Sequence, residues 1–177
     1  MKKIQIIVLF VSMWVQGVAQ NWQPVSASVG FNLKMLGVTV EGKFKGLAAT
    51  IKFDPANLAA SSVVATVDAA TVDTDNSLRN RHLREKEDFF EVAKYPKITM
   101  KSTKIEKNGN GYVGYFDLTI KKVTKNIKIP FTFTETADKG VFSGSVTVNR
   151  RDWALGGGTF GMANEVIINL VVNTVSK

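Results

Sequence analysis

The sequence predicts an all-β domain made of short antiparallel strands, and three observations support that prediction. Apolar and polar residues alternate along several stretches, which places one face of each stretch against a core and the other in water. Turn-forming residues such as Asp-Pro, Asn-Gly and Gly-Gly separate these stretches. Only one segment departs from the alternation, and the pattern as a whole is typical of a β-sandwich or a β-barrel.

Nine stretches have the character of strands. The clearest is 127–134, in which every second residue is apolar and Pro130 falls on the polar face, as expected at an edge, a bulge or a bend. The same alternation recurs at 142–148 and 63–69. The remaining predicted strands are 27–33, 38–44, 49–53, 98–105, 112–120 and 166–172. No linker or repeat divides the sequence, so we predict a single domain.

The exception to the alternation is the segment 75–90, which we predict to form a short amphipathic helix. Leu78, His82 and Leu83 share one face of such a helix. Two phenylalanines end the segment. We expect the helix to lie across one end of the strands and the phenylalanines to plug that end.

The residues predicted to face inward combine large rings with very small side chains. The large ones are Phe31, Phe44, Phe131, Phe133 and Phe142, and the small ones are Gly42, Ala65, Ala69 and Gly144. Two packed sheets fill such gaps, whereas a barrel of about eight strands leaves room for one ligand. Because small residues also mark tight bends in strands, this composition favours a barrel and leaves a sandwich open.

We predict a cleaved signal peptide at residues 1–19. Two lysines precede an apolar stretch at 4–15, and small residues lead up to Ala19, after which a signal peptidase would cut. The alternative, a membrane-spanning anchor, needs roughly 20 apolar residues, and this stretch offers about 12. No cysteine follows it, which excludes a lipoprotein anchor. The mature domain is therefore predicted to comprise 20–177 and to be periplasmic or secreted.

The composition excludes several kinds of chemistry. The 177 residues include 23 Lys and Arg against 15 Asp and Glu, for a net charge of +8, with one histidine and no cysteine. Without cysteine there is no thiol nucleophile, thiol redox chemistry or Cys-ligated zinc. Outside the cytoplasm a basic surface favours anionic lipid head groups over nucleic acid, although a merely solubilising charge is the simpler interpretation. We expect no nucleic-acid partner and at most a transient contact with a membrane surface.

The sequence holds no recognisable catalytic or metal-binding group. His82 has no nucleophile near it in the sequence, and acidic and basic residues interleave along 79–91 as in a solvated helix. The Gly-x-Gly-x-x-Gly pattern at 109–114 precedes a strand rather than a helix, so it marks a hairpin turn and not a nucleotide site. We predict a protein that is not an enzyme and that needs neither a cofactor nor a metal.

A set of short motifs resembles the YceI-like family. The motifs are Ser28-Val29-Gly30-Phe31, Phe53-Asp54-Pro55, 67–72, Arg81-His82-Leu83, Phe89-Phe90, 95–99, 117–120, Val123-Thr124-Lys125 and Asn149-Arg150. They follow the order of the family from Trp22 to Val172. The resemblance implies an extended antiparallel eight-stranded β-barrel, similar to lipocalins, with the short helix across one end. It also implies a bacterial exported protein that binds a polyisoprenoid, an isoprenoid quinone or a fatty-acid derivative.

Two positions depart from the pattern of the family. Lys122 stands where a glycine often precedes Val-Thr, and Trp153 stands where phenylalanine is usual, so the larger ring is expected to narrow one end of the pocket. The resemblance also places the segment around His82 beside the pocket entrance. There, Arg79, Arg81 and His82 are candidates for contact with a ligand head group.

On this basis we expect the ligand to lie along the barrel axis, held by apolar burial at about 25 cal/mol per Å². The predicted ligand-binding residues are Phe31, Leu33, Phe44, Ile51, Val67, Arg79, His82, Phe89, Phe90, Ile98, Met100, Leu118, Ile120, Ile129, Phe131, Phe142, Val146 and Trp153. The alternative is an exported interaction module with a filled core and a basic surface, whose binding would weaken steeply with salt. The sequence leaves open whether a ligand is transported or stored and whether the chain forms a homodimer.

Overall fold

The structure is a computed structural model that describes residues 19–177. The predicted signal peptide, apart from Ala19, lies outside the described residues. Within them the chain forms nine strands and helix α1, Ser77–Glu85, between the fourth and fifth strands. The strands are β1 (Asn21–Met35), β2 (Val38–Phe44), β3 (Ala48–Lys52), β4 (Ser62–Asp68), β5 (Lys97–Asn108), β6 (Gly111–Ile120), β7 (Val123–Thr136), β8 (Lys139–Asn149) and β9 (Glu165–Ser176).

The strands close into an eight-stranded antiparallel barrel, which confirms the predicted fold. Neighbours run β1-β3-β4-β5-β6-β7-β8-β9, and β9 pairs back onto β1 from the pair Trp22 and Ser176 to the pair Asn32 and Ile167. Strand β2 pairs with the second half of β1, whereas β3 pairs only with its first two residues. The strands β2 and β3 therefore share one place in the ring, one after the other.

All nine predicted strands are present, and two prolines explain details of their bounds. A β-bulge between Pro24 and Ser26 shifts the phase of alternation in β1, which hides the first part of this strand from a period-two pattern. The ladder between β7 and β8 runs from the hairpin to the pair Phe131 and Gly144, so Pro130 lies just outside it. Its missing N–H therefore removes no hydrogen bond to β8.

Helix α1 is shorter than the predicted segment 75–90. It begins after Asn76, whose side-chain oxygen accepts a hydrogen bond from the backbone N–H of Arg79 at 2.9 Å. After its last residue the chain turns, and the backbone N–H of Phe90 donates to the carbonyl of Leu83 at 3.0 Å. The two phenylalanines therefore reach the barrel from a turn and not from the helix.

The face that α1 buries differs from the predicted one. Leu83 packs against the barrel interior, but Leu78 is 53% exposed, so the prediction that the two leucines share one packed face is wrong. No residue of α1 is buried. The helix is therefore held by Leu83, by the turn that follows it and by the amide of Asn80, whose oxygen accepts hydrogen bonds from the backbone N–H and the hydroxyl of Thr74.

The barrel interior is divided into two apolar clusters. The aromatic cluster comprises Trp22, Ile51, Phe53, Ile105, Tyr112 and Val172, with Phe131, Phe133 and Phe142 packed against them. The cavity cluster comprises Ala69, Val72, Phe90, Leu118, Ile120 and Trp153, with Phe31, Phe44 and Leu83 among the residues packed against them. Phe53 is fully buried in the aromatic cluster, and four rings surround it edge-on at centroid distances of 5.0 to 5.8 Å. One half of the barrel is thus filled by rings.

Two of the small inward residues, Gly42 and Gly144, allow neighbouring groups to approach the strand backbone closely. A Cβ atom added at Gly42 would lie 2.2 Å from the ring of Phe31. One added at Gly144 would lie 3.2 Å from the side chains of Ile129 and Phe131. The mixture of large and small residues therefore predicted a barrel correctly, and at Gly42 and Gly144 the small residue is required by close packing.

Candidate functional site

An apolar cavity of 160 Å³ lies in the half of the barrel that holds the cavity cluster. Six of the barrel strands and β2 supply its walls, the turn after α1 closes one side, and the loop after β8 closes another. The lining residues are Val29, Gly30, Phe31, Leu33, Phe44, Val67, Leu83, Phe89, Phe90, Ile98, Leu118, Ile120, Val148, Arg150, Trp153, Leu155, Met162, Val166 and Ile168. Arg150 is the single polar side chain among them.

Aromatic rings form a continuous wall on the side of α1. The ring of Phe44 lies 5.6 Å from that of Phe31 and 5.5 Å from that of Phe90, the second contact being edge-on. Such offset and edge-on pairs are the favoured arrangements of aromatic side chains. The wall therefore couples β1 and β2 to the turn that follows the helix.

Trp153 forms the opposite wall and is 1% exposed. Its indole N–H donates to the carbonyl of Leu118 at 3.1 Å, so the buried polar atom has a partner and the ring is fixed against β6. It belongs to the 3-10 turn Arg150–Trp153 that follows β8. The ring thus borders the cavity, where the sequence predicted a bulky tryptophan at one end of a pocket.

Arg150 reaches the cavity from the same turn and is 3% exposed. Its guanidinium donates to the carbonyls of Leu155, Met162 and Ala163, at 3.1 Å for Met162 and 2.9 Å for Ala163. It also donates to the side-chain oxygen of Asn164 at 3.2 Å. These bonds tie the loop after β8 to the barrel, and all four acceptors are neutral.

Of the predicted ligand-binding residues, ten line this cavity and eight do not. The ten are Phe31, Leu33, Phe44, Val67, Phe89, Phe90, Ile98, Leu118, Ile120 and Trp153. Ile51, Phe131 and Phe142 belong to the aromatic cluster, and Met100 packs against the cavity cluster without lining the cavity. Ile129 is buried and Val146 half-buried outside the lining. The structure therefore separates predicted residues that alternation had placed in one continuous pocket.

The candidate head-group residues lie on α1, outside the cavity lining. Arg79 and His82 are half-buried and Arg81 is exposed. The carbonyl of His82 accepts a hydrogen bond from the backbone N–H of Lys86 at 3.1 Å, which ends the helix. Any contact of these three side chains with a head group stays a proposal.

Nine lining residues were absent from the predicted set. Val29, Val148, Val166 and Ile168 carry the same alternation as the predicted strands, so this pattern already contained the signal that marks them as inward-facing. Leu155 and Met162 lie in the loop after β8, where no periodicity exists to mark them. The others are Gly30, Leu83 and Arg150.

Three exposed apolar side chains, the rim patch, stand beside this end of the barrel. Phe160 is 88% exposed, Val38 68% and Leu36 66%. The backbone N–H of Leu36 donates to the carbonyl of Gly161 at 2.8 Å, which joins the β1–β2 turn to the loop that carries Phe160. Met162, in the same loop, lines the cavity. The rim patch therefore adjoins the cavity wall.

Residues 19–177 contain neither a cluster of metal ligands nor a helix of membrane-spanning length. Across that range, no group of three or more His, Cys, Asp or Glu side chains is arranged to hold a metal ion. No helix in the same range is long and apolar enough to cross a membrane.

The model of the YceI-like domain matches residues 21–174, which spans the whole barrel. The chain belongs to the YceI-like family. A UPF0312 protein of Vibrio cholerae is 32% identical over 159 residues, covering 85% of this chain and 82% of that protein. The family assignment made from the sequence motifs is thereby confirmed.

Solved structures of YceI-like proteins share the architecture. BcnA of Burkholderia cenocepacia matches with a TM-score of 0.78 and 30% identity over 83% of this chain and 95% of its own. The YCEI protein of Campylobacter jejuni matches with a TM-score of 0.69 and 30% identity, covering 78% of this chain and 85% of its own. A polyisoprenoid binding domain from Saccharophagus degradans, 15% identical with a TM-score of 0.65 over 91% of this chain and all of its own, has the same fold.

Proposed function

We propose that this YceI-like protein is a binding protein that holds the apolar chain of a polyisoprenoid, an isoprenoid quinone or a fatty-acid derivative inside its barrel for transport or storage. The observation that supports this most is the cavity in the barrel, whose accessible lining is apolar. Removing a hydrocarbon chain from water into such a lining is favourable by about 25 cal/mol per Å², before the entropic cost of binding. The binding of polyisoprenoid by a domain with the same fold supports the same ligand class.

The size of the cavity sets a condition on this function. At 160 Å³ it is close to the engineered apolar cavity of about 150 Å³ that admits benzene, so it encloses only a short part of a long chain. A longer ligand therefore requires a wall to move. The wall formed by Leu83, Phe89 and Phe90 is the one built on a helix without buried residues, and we expect it to yield first.

Native mass spectrometry of the protein purified from its own host tests this function. We expect a stoichiometric long-chain amphiphile to remain bound and to be released and identified after organic extraction. The mass of the protein in the same spectrum identifies the mature N-terminus, which we expect at Gln20 for an exported protein. It also shows whether the protein forms a homodimer. If the protein carries no lipid and takes up none of the lipids offered to it, the result would instead support the interaction module with its basic surface.

The rim patch, defined above as Leu36, Val38 and Phe160, is the surface through which the protein contacts a membrane while the ligand enters or leaves. Apolar side chains this exposed are unfavourable in water, and here they adjoin the cavity wall. The net charge of +8 for the 177 residues falls to +6 when Lys2 and Lys3 leave with the predicted signal peptide, and this positive charge adds attraction to anionic lipid head groups. Periplasmic or secreted localisation, which the first nineteen residues support, brings the protein to such a surface.

Replacing Phe160 by serine is expected to weaken association with vesicles of phosphatidylethanolamine and phosphatidylglycerol by about tenfold, because one phenylalanine side chain no longer leaves water. Co-sedimentation with the vesicles measures the change. Val25→Ser is the matched control, since Val25 is 62% exposed but lies in the part of β1 that borders the aromatic cluster. Equal losses for the two variants would contradict a role of the rim patch.

A further inference from the structure

Two segments meet beside the cavity, the turn after α1 (86–90) and the loop after β8 (154–163). Phe89 of the turn and Met162 of the loop both line the cavity. A Cβ atom added at Gly156 would lie 3.0 Å from the sulfur of Met162 and 3.2 Å from the ring of Phe89. The turn and the loop are therefore in contact at Gly156, where no side chain fits between them.

The loop after β8 is fixed to the barrel. The guanidinium of Arg150, which is 3% exposed, donates to carbonyls near both ends of this loop, those of Leu155 and Ala163. The backbone N–H of Ala163 donates to the carbonyl of Lys34 in β1 at 2.8 Å. If the loop moved away, a buried guanidinium would lose its acceptors, which is strongly unfavourable. This side of the contact therefore stays in place.

The turn after α1 is held more weakly. Among residues 19–177, two hydrogen bonds join it to parts of the chain other than α1. The backbone N–H of Gly156 donates to the carbonyl of Asp88, and Nζ of Lys121 donates to the carbonyl of Glu87. The other backbone hydrogen bonds of the turn stay within it or lead back to α1. The turn can therefore swing outward once these two bonds break and its rings leave the cavity wall.

Two gaps between described strands also lie beside the cavity, and both are filled. The ladder between β7 and β8 ends at Phe131 and Gly144, and beyond it the 3-10 turn that carries Trp153, which is 1% exposed, packs against β7. On the side of β2 away from β1, the backbones of Lys43 and Asp73 exchange two hydrogen bonds. The other strands around the cavity are joined by ladders. The contact at Gly156 is therefore the part of the wall that opens most readily.

We infer that a lipid enters and leaves the barrel between the turn after α1 and the loop after β8, and that the turn moves while the loop stays in place. The inference rests on the proposed function and adds the route of the ligand. The loop also carries Phe160 of the rim patch, which is 88% exposed. The entrance therefore lies beside the surface proposed to contact a membrane, so a lipid can pass from a bilayer into the cavity with little exposure to water.

A disulfide across the entrance tests this route in a protein that has no cysteine of its own. A Cβ atom at Gly157 would lie 3.4 Å from Cγ of Asp88, a separation that a disulfide can bridge. In the oxidised Asp88→Cys/Gly157→Cys protein we expect uptake of cis-parinaric acid, followed by stopped-flow fluorescence, to be about tenfold or more slower than in its reduced form. The reduced form is the reference, because residue 157 has φ +37° and cysteine strains the backbone there.

Ser145→Cys/Asn169→Cys is the matched disulfide control. These two side chains form a hydrogen bond of 2.9 Å on the outer face of β8 and β9, which are already paired at this position. A disulfide there restrains no part of the entrance. We expect the oxidised and reduced forms of this control to take up the fatty acid at rates within about twofold of each other. Circular dichroism verifies the fold of each variant, and mass spectrometry verifies each disulfide.

A second variant loosens the turn and needs no disulfide. Lys121→Asn removes the hydrogen bond to the carbonyl of Glu87, and asparagine tolerates the φ of +55° at this position. We expect uptake to become about threefold or more faster, as the loss of one hydrogen bond predicts. Lys122→Asn makes the same change of charge at the exposed neighbouring position and is expected to leave the rate unchanged.

The outcomes separate this route from the proposed function. Equal uptake by the oxidised and reduced forms of folded Asp88→Cys/Gly157→Cys overturns the route and leaves lipid binding intact. Equal rates for Lys121→Asn and Lys122→Asn overturn the assignment of the turn as the moving side. If the wild-type protein takes up neither cis-parinaric acid nor any lipid in the mass-spectrometric experiment, the proposed function itself is overturned.

Discussion

Replacing Phe53 by alanine is expected to lower the free energy of unfolding by about 3 to 5 kcal/mol. Phe53 is 0% exposed, and the rings of Tyr112, Phe131, Phe133 and Phe142 surround it. Its removal leaves a cavity that the four surrounding rings cannot readily close. The variant therefore loses the free energy of burying the phenyl ring and also incurs the cost of the remaining cavity. Urea unfolding followed by far-ultraviolet circular dichroism measures the change.

Phe160→Ala is the control for that measurement. It makes the same chemical change at a side chain that is 88% exposed, and we expect it to alter the free energy of unfolding by less than about 0.5 kcal/mol. Lipid affinity of folded Phe53→Ala should match that of the wild-type protein, since Phe53 is remote from the cavity lining. A destabilisation below about 1 kcal/mol would contradict the central place of Phe53 in the aromatic cluster.

Replacing Val67 by phenylalanine is expected to weaken binding of a long-chain lipid by tenfold or more, on the order of 1.4 kcal/mol. Val67 is 7% exposed and lines the cavity from β4, so the larger ring occupies the space that the lipid needs. The variant should keep most of its stability, because the added atoms enter existing space. Titration with a fluorescent fatty acid measures the affinity.

Val63→Phe provides the matched control on the same strand. Val63 lies on the inward face of β4, four residues before Val67, but packs against the aromatic cluster. The added ring meets a filled core there, so we expect a destabilisation of about 1 to 3 kcal/mol and an unchanged lipid affinity. If Val63→Phe weakened binding as much as Val67→Phe, the ligand would have to extend through the aromatic cluster.

These two pairs of variants separate two tasks that the barrel divides between its halves. The aromatic cluster provides rigid packing around Phe53, and the other half keeps an apolar cavity between the turn after α1 and the loop after β8. A filled core and a ligand site are therefore both present in one barrel. Of the two interpretations of the sequence, the filled core describes the half with the aromatic cluster, and the ligand site describes the half with the cavity.

Alternation along the chain is sufficient to predict the strands and the direction of their side chains. Alternation with a period of two depends only on the geometry of an extended chain, so it located β4, β7 and β8 and the face that each one buries. The break in alternation likewise located α1. The ordered motifs indicated the YceI-like family, and the family model that matches residues 21–174 confirms it.

Which of the inward residues line the cavity depends on how the strands pack in three dimensions. Phe44 and Phe131 have the same alternation, yet one lines the cavity and the other packs beside Phe53. Alternation states whether a side chain points inward, but its depth along the barrel axis depends on strand register and on the rings that it meets. The burial of Arg150 has the same kind of origin, because its acceptors are carbonyls of a loop that folds back from 155–163. Neither strand register nor a loop that folds back produces a periodic pattern in the sequence, because both depend on contacts between residues that are far apart in the chain.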